Sequence, residues 1–400
     1  MSKTVRIVLY VLSLLTVAGL IVAFVAAGKS QGTQQTMQED VAVEEVKGES
    51  ADEEAGSLQE NITVEAPEKP QEEAVVEGEK ETAEQQKVPK ESAVTTILFT
   101  GDVLFANAFK AGYDANGIEG VIAEDLLKEL NNADILMINN EFPFSDRGMP
   151  MADKQYTFRC SPSYVGALNE MGVDVVSLAN NHTLDYGKEA LSDTFAALDG
   201  AGIAYGGAGE SAERAEMVQT FEVNGKTYGF LAVSRVIPTG DWKVENSTPG
   251  LFSCYDDTRL VELVKEVKET CDFLAVYPHW GVEYKAYPED YQTQIAKRCI
   301  EAGADLIVGS HTHCLQGAEF IDGKPVCYSL GNFVFGQNID RSAILKVTVD
   351  ASGNAVYQYL PVYATGGKTQ LATGDRAAQI CQYLDSISQA TVAADGKISR

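Results

Sequence analysis

The sequence predicts a mostly α/β domain with a β-rich C-terminal end. Two observations predict it: short apolar runs alternate with helical patterns between residues 95 and 308, and the three later strands follow one another without an intervening helix. Such alternation is typical of a sheet covered by helices. Polar side chains also follow five of the predicted strands, which places a candidate site at the carboxyl edge of the sheet.

Each predicted element rests on a local pattern. Helices have apolar residues at helical spacing, as where Leu126, Leu127 and Leu130 share one face. Strands are short apolar runs, and Asn224-Gly225 between two of them is a strong hairpin signal. In chain order we predict strand 95–100, helix 124–131, strand 135–139, helix 163–171, strand 173–178, helix 188–198, hairpin strands 218–223 and 228–233, helix 257–269, strand 273–277, helix 291–302, strand 305–308 and strands 325–329, 343–349 and 355–360.

An apolar, uncharged run precedes the domain at residues 7–27, with Lys3 and Arg6 before it. At about 1.5 Å per helical residue the run matches a bilayer core of about 30 Å. We therefore expect residues 1–28 to be a signal anchor and transmembrane helix; cleavage after Ala27 is the alternative. The basic residues place the N-terminus in the cytoplasm, so the protein is expected in the cell membrane as a single-pass protein with its C-terminal domain extracellular.

Residues 29–92 form an acidic linker with 18 Asp and Glu against 6 Lys and Arg, and with no aromatic residue. A segment of this composition cannot bury enough apolar surface to fold, so we expect disorder. It is either a spacer between the membrane and the domain or a solvated tail without a specific partner. Residues 93–370 are expected to form the domain, and residues 371–400 a C-terminal helix and tail.

Composition also excludes some functions. Of the chain's net charge of −27, the N-terminus contributes +2 and the linker −12, which leaves −17 on the folded part. That charge repels phosphates and argues against nucleic acid as a partner. The seven cysteines are odd in number and show no C-x-x-C spacing, so they are expected to be buried thiols rather than a disulfide framework.

All four histidines lie just past predicted strands. An imidazole there can bind a metal ion or move a proton near neutral pH. The strand ends supply two carboxylates, one amide and the imidazoles, and the predicted metal ligands among them are Asp102, Glu141, Asn181, His279, His311 and His313. Oxygen and nitrogen ligands without thiolate suit Mn²⁺, Fe or Zn²⁺, and we expect one or two such ions per chain. His182 is then free to act as an acid or to contact an oxygen of the substrate.

Several motifs carry a family resemblance. They are Phe99-Thr-Gly-Asp-Val, Ile138-Asn-Asn-Glu, Tyr156-Thr-Phe-Arg, Asp174-Val-Val-Ser-Leu-Ala-Asn-Asn-His-Thr-Leu-Asp-Tyr-Gly, His279-Trp-Gly-Val-Glu-Tyr, Gly309-Ser-His-Thr-His and Ser329-Leu-Gly-Asn-Phe-Val-Phe. In these motifs and their order the chain resembles the CapA family of poly-γ-glutamate capsule synthesis proteins, within the calcineurin-like metallophosphoesterase superfamily. The resemblance implies an α/β sandwich of two β-sheets flanked by helices.

The resemblance also implies a role for each ligand. Asp102 and His313 would bind one metal ion, and Glu141 would bridge two. Asn181, His279 and His311 would bind the second metal ion, and His182 would be the acid or the phosphate contact. The wider superfamily has a histidine where this chain has Leu104, so we expect a weaker site for the first metal ion.

Four further residues are predicted to contact substrate, each against a structural alternative. Arg159 would bind a carboxylate or phosphate, or form a structural salt bridge. Trp280 and Glu283 would line a cleft or pack a loop. Asn332 would contact the ligand or form a turn. Asp185 is expected to cap or orient local backbone.

The expected function is that of a membrane-anchored, extracellular CapA-type protein of capsule or poly-γ-glutamate biosynthesis, a metal-dependent hydrolase or transferase acting on an anionic envelope polymer. Two alternatives remain open. One is a non-catalytic subunit of a membrane polymer-synthesis or export complex, in contact with synthase subunits. The other is a cell-envelope phosphoesterase.

Overall fold

The computed structural model describes residues 94–400, so the predicted anchor at 1–28 and the linker at 29–92 lie outside the described residues. Within residues 94–400 no helix is both long and apolar enough to cross a bilayer. The described part forms two mixed sheets with helices outside them, which confirms the α/β prediction.

The first sheet has eight strands, and four parallel neighbours form one side of it, with β4 at the edge. Its order is β16-β15-β14-β1-β2-β3-β4, and β13 pairs with the end of β1. Strands β1 to β4 run parallel, whereas β14, β15 and β16 are antiparallel. Numbered in chain order, the strands are β1 Thr95–Val103, β2 Ile135–Asn140, β3 Val175–Ser177, β4 Ala204–Gly206, β13 Asn332–Val334, β14 Ile339–Val349, β15 Ala355–Thr365 and β16 Lys368–Leu371.

The second sheet has six strands in the order β11-β12-β10-β9-β7-β6. Strands β7, β9, β10 and β12 are parallel, so their carboxyl ends share one edge. The strands are β6 Gln219–Val223, β7 Lys226–Ser234, β9 Phe273–His279, β10 Leu306–Val308, β11 Leu315–Ile321 and β12 Lys324–Leu330. Two short pairs complete the strands: β5 Ala208–Gly209 with β8 Gly250–Leu251, and β17 Thr391–Val392 with β18 Ile398–Ser399.

Eight α-helices lie among the described residues. They are α1 Asn107–Asn116, α2 Glu124–Asn131, α3 Gly166–Glu170, α4 Gly187–Ala201, α5 Ala212–Ala215, α6 Thr258–Lys268, α7 Asp290–Ala302 and α8 Gly374–Ile387. Short 3₁₀ turns occur at Gly117–Gly120, Pro162–Tyr164 and Gly240–Trp242.

Three apolar cores hold the layers together. The core between the sheets joins residues such as Phe99 and Met137 of the first sheet to Phe230 and Val308 of the second. A second core joins the outer face of the first sheet to helices α1 to α4. A third joins the outer face of the second sheet to α6 and α7. Burial on both faces explains why the central strands are continuous apolar runs.

The predicted elements differ from the observed ones mainly at their ends, whereas strands β4, β11, β13 and β16 and helix α5 were not predicted. Helix 163–171 is a 3₁₀ turn followed by the shorter α3, and strand 173–178 is reduced to β3. Strand β1 continues three residues further than predicted. Gly101 allows this, because a Cβ there would lie 1.7 Å from the carbonyl oxygen of Gly331. As a result Asp102 is held inside a strand, where its backbone N–H donates to the Gly331 carbonyl at 3.0 Å.

The hairpin prediction is confirmed. Asn224 and Gly225 join β6 to β7 with φ angles of 53° and 76°, as a tight hairpin turn requires. Helix α1 has no counterpart in the prediction, because Phe109 is its one buried residue and the helical pattern is weak. The seven cysteines are free, and six of them are buried.

Candidate metal centre

The carboxyl ends of the parallel strands from both sheets meet at one place. Strand β1 carries Asp102 there, β2 leads into Glu141, β9 ends at His279, and the loop after β10 supplies His311 and His313. The sequence predicted these residues to converge, and the structure brings them together.

Two groups of three side chains have the spacing of a metal site. Glu141, His279 and His311 form one group, and Asp102, Glu141 and His313 form the other; in each, the ligand atoms lie within 4.8 Å of one another. Glu141 belongs to both, as expected of a bridging carboxylate. Asn181 adjoins the first group, because its Oδ1 lies 2.8 Å from Nε2 of His279.

Hydrogen bonding also fits a cation here. Glu141 is completely buried, yet neither of its carboxylate oxygens has a hydrogen-bond partner among the described residues. Nδ1 of buried His311 also lacks one. A buried carboxylate without partners is costly, and a divalent cation supplies the missing interaction. The oxygen and imidazole donors are those that Mn²⁺, Fe and Zn²⁺ accept.

Neighbouring polar groups hold the candidate ligands in place. Asn139 donates to Oδ1 of Asp102 at 2.8 Å, and Asn180 donates to Oδ1 of Asn139 at 3.0 Å. Ser310 lies 3.1 Å from Nδ1 of His279. Such partners fix ring orientation and tautomer in metal sites. Asn139 and Ser310 lie within the motifs that carry the family resemblance, but sequence reasoning assigned neither of them a role.

The loop after β10 adopts a strained backbone at two candidate ligands. His311 has a φ of 96° and His313 a φ of 55°, in the region that non-glycine residues rarely enter. Each such residue costs about 1–3 kcal/mol, and clustering of this strain is typical of functional sites. This backbone conformation brings both imidazoles to the candidate metal centre. Asp102 accepts a hydrogen bond there from the backbone N–H of His311 at 3.3 Å.

Burial and neighbouring charges lower the pKa values of two candidate ligands and raise those of two others. Burial lowers the pKa of His279 well below its usual value and that of His311 to about 3. Burial and the charge of Asp102 raise the pKa of Glu141 well above its usual value. Burial alone would lower the pKa of His313, but the charges of Glu141 and Asp102 outweigh it and raise that pKa to about 10. Without metal, His313 is therefore the proton-holding imidazole.

The metal-free protein should lose stability as the pH rises from 6.5 toward 10. A folded-state pKa raised above its unfolded value gives stability that is complete below 6.5 and lost as pH passes through the folded pKa, here about 10 for His313. The raised pKa of Glu141 acts in the same direction. We expect a loss on the order of a few kcal/mol, measured by denaturation in chelator across this pH range. His313→Gln should flatten the curve; an unchanged slope in that variant would refute the assignment.

Beside the two groups, His182 is held by Lys154 and Asp185. Nδ1 of His182 lies 2.7 Å from Oδ2 of Asp185 and 3.0 Å from Nζ of Lys154. Lys154 also pairs with Asp185 and donates to the carbonyl of Asn181. Burial lowers the pKa of both His182 and Lys154. Asp185 was expected to orient backbone, and it does accept from the N–H of Phe158 at 2.7 Å, but it also positions His182.

Lys154 was missed, because it lies in a polar loop without motif or periodicity. Its ammonium is also 5.3 Å from the ring centre of Trp242. Only the fold brings this loop to His182, so no sequence signal could have identified it.

The predicted substrate residues have different environments. Trp280 is completely buried, with its indole N–H donating to the carbonyl of Tyr328 at 2.9 Å, so the substrate-contact prediction is wrong and loop packing is right. Asn332 lies in β13 rather than in a turn, and its Oδ1 is 2.9 Å from Nδ1 of His313. It therefore orients a candidate ligand. Glu283 is exposed, and its charge contributes to raising the pKa of Glu141.

Arg159 contacts an aromatic ring and a backbone carbonyl within residues 94–400, and its predicted contact with substrate stays a prediction. Its guanidinium stacks 4.4 Å from the ring of Tyr186 and donates to the carbonyl of Arg147 at 3.2 Å. It makes no ion pair with the described residues, so the structural salt bridge is not seen. Leu104, at the position of the superfamily's extra histidine, is 4% exposed and packs in the core on the outer face of the first sheet.

Comparison with known proteins finds sequence relatives of this chain among capsule proteins. The family model described as bacterial capsule synthesis protein PGA_cap matches residues 96–337. The PGA biosynthesis protein CapA of Bacillus subtilis is 30% identical over 276 residues, which cover 67% of this chain and 71% of the relative. The capsule biosynthesis protein CapA of Bacillus anthracis is 30% identical over 293 residues, covering 71% of each chain.

A more distant relative is a probable polyglutamine synthesis accessory protein of Mycobacterium tuberculosis. It is 29% identical over 276 residues, which cover 64% of this chain and 73% of the relative. The matched region includes every candidate metal ligand, since these lie between residues 102 and 313.

Proposed function

The chain belongs to the bacterial capsule synthesis protein family, and from that premise we propose that it is a metal-dependent hydrolase or transferase acting on an anionic envelope polymer such as poly-γ-glutamate. The observation that carries the proposal is Glu141, a completely buried carboxylate without a hydrogen-bond partner among the described residues, shared by two groups of metal-ligand spacing. Such a group has little structural use without a cation beside it.

A divalent ion held by these residues would polarise a carbonyl or phosphoryl oxygen and lower the pKa of water. Asp102, Glu141 and His313 would hold one such ion. Glu141, His279 and His311, with the amide of Asn181, would hold a second. Asn332 and Asn139 keep His313 and Asp102 in place.

His182 can hold or release a proton at Nε2. When Lys154 donates to Nδ1, the neutral ring carries its proton on Nε2. When Nδ1–H donates to Asp185, Nε2 of the neutral ring carries no proton and can accept one. Either arrangement keeps the ring fixed, and Nε2 has no hydrogen-bond partner among residues 94–400. This suits a general acid that protonates a leaving group and is then reset.

We propose that the domain lies outside the cell, that residues 1–28 anchor it in the membrane, and that residues 29–92 separate it from the membrane surface. The apolar run at 7–27 and the basic residues before it support this placement. Polymer-synthase subunits in the membrane are the proposed partners.

Polymer formation in a deletion strain tests the catalytic role. Asp102→Ala and His313→Ala should each abolish rescue, because each removes a candidate ligand from one group. The expressed protein is measured by immunoblot, and Glu222→Gln, at an exposed carboxylate on the edge strand β6, should rescue like the wild type.

Full rescue by both ligand variants would instead support a non-catalytic subunit. Leu104 favours that alternative, because an apolar core residue stands where the wider superfamily has an imidazole. Turnover of generic aryl phosphates by the purified chain would favour a phosphoesterase.

A further inference from the structure

A stacked arginine lies at the same sheet edge as the candidate metal centre. Arg235 directly follows β7, whose last residue Ser234 pairs with His279 of β9. The backbone N–H of Arg235 donates to the carbonyl of His279 at 2.8 Å. Arg235 is thus fixed to a candidate metal ligand through the backbone.

The guanidinium of Arg235 is held by aromatic rings rather than by acids. It lies 3.7 Å from the ring centre of Tyr255 and 4.9 Å from that of Tyr291. Within residues 94–400 its side chain forms no ion pair and donates no hydrogen bond, whereas Arg147 and Arg259 pair with carboxylates. A stacked guanidinium keeps its N–H edge available for a carboxylate, which it can bind in a bidentate manner.

A cleft of about 340 Å³ lies against Tyr255. Ile237 and Pro238 give it an apolar wall, and exposed Lys243 adds a second cation. The one carboxylate in its lining, Asp256, is engaged by the N–H and the hydroxyl of Thr258 at 3.0 and 2.6 Å.

Two side chains, Trp242 and Lys154, connect the cleft segment to the candidate catalytic histidine. Trp242 lies between two cleft residues in the sequence, Gly240 and Lys243, and its ring is 5.3 Å from Nζ of Lys154. Lys154 in turn contacts His182 at 3.0 Å. A polymer bound at the metal centre could therefore extend into the cleft.

We propose that Arg235 and Lys243 form a subsite that binds a pendant carboxylate of a γ-glutamyl chain, next to the residue at the metal centre. This rests on the proposed function. Each γ-glutamyl unit carries two backbone methylenes and one carboxylate, which match the apolar wall and the two cations. The subsite also explains how an acidic protein holds a polyanion: two cations concentrated near the site act at short range, where screening is weak.

Calorimetric titration of the purified full chain with a γ-linked glutamate oligomer tests the subsite. Arg235→Gln with Lys243→Gln should weaken binding by at least about 10-fold and reduce its dependence on salt, because two charge contacts are lost. Arg376→Gln is the matched control: Arg376 also stacks on a tyrosine, 3.7 Å from the ring of Tyr363, but on helix α8. It should bind like the wild type.

Four results would overturn the subsite. One is unchanged affinity in the double variant, and another is an equal loss in Arg376→Gln. The third is equally tight binding of an α-linked oligomer, which carries the same charge on a different backbone. Absence of any binding by the wild type would also overturn it, while leaving the proposed function to the metal and rescue experiments, neither of which involves Arg235.

Discussion

Glu141→Gln should weaken binding of Mn²⁺ or Zn²⁺ by more than about 100-fold and make the metal-free protein more stable. Outer-shell partners of metal ligands typically contribute 10–100-fold to affinity, so a carboxylate shared by both groups should contribute more. The stability gain has a separate cause. In the metal-free state Glu141 is a buried acid whose oxygens have no hydrogen-bond partner among the described residues, and replacing it by a neutral amide removes the cost of burying its charge.

The gain at pH 7 should be at most about 4 kcal/mol, the cost of keeping the carboxyl protonated at that pH. The free-energy cost of burying the carboxylate is limited, because the group can take up a proton instead. Keeping it protonated costs about 1.4 kcal/mol for each pH unit above its unfolded pKa of about 4.3. Titration calorimetry gives the affinity, and denaturation in chelator gives the free energy of unfolding. Glu222→Gln, at an exposed carboxylate on the edge strand β6, should change neither. If Glu141→Gln kept wild-type affinity, Glu141 could not be a ligand.

His182→Gln should lower turnover by about 10²–10⁴-fold while leaving metal content intact. Positioned acids and bases contribute about 10²–10⁴-fold to rate, and His182 belongs to neither group of metal-ligand spacing. The readout is the chain length of poly-γ-glutamate incubated with the metal-loaded protein, beside elemental analysis of the same sample.

Lys154→Met is a second variant with a smaller expected effect on turnover. It removes the donor to Nδ1 but keeps Asp185, so the ring stays anchored on one side and the loss of turnover should be smaller than in His182→Gln. Loss of metal in His182→Gln would make His182 a ligand rather than an acid. Wild-type turnover would leave it no chemical role.

The candidate ligands were predictable because their positions follow from strand ends. A parallel strand delivers the residues after it to a shared edge, so Asp102 and Glu141, which follow neighbouring strands of the first sheet, could be placed together from apolar runs. His279 ends a strand of the second sheet, and it joins them through the packing of the two sheets. The sandwich of two sheets came only from the family resemblance, since alternation of strands and helices does not reveal how many sheets form.

Roles that depend on contacts between distant parts of the sequence could not be predicted. Lys154 and Arg235 lie in loops, and their partners His182 and Tyr291 are distant in sequence. Trp280 was misassigned for the opposite reason: it adjoins a ligand in sequence, but the next residue of a strand end points to the other face and enters the core.

Metal content of the purified wild-type chain tests the central claim most directly. After loading with Mn²⁺, Fe or Zn²⁺ and removal of excess ion, elemental analysis should find one or two ions per chain, and His311→Ala should reduce that number. A wild-type protein that retains no metal under any loading condition would contradict the account.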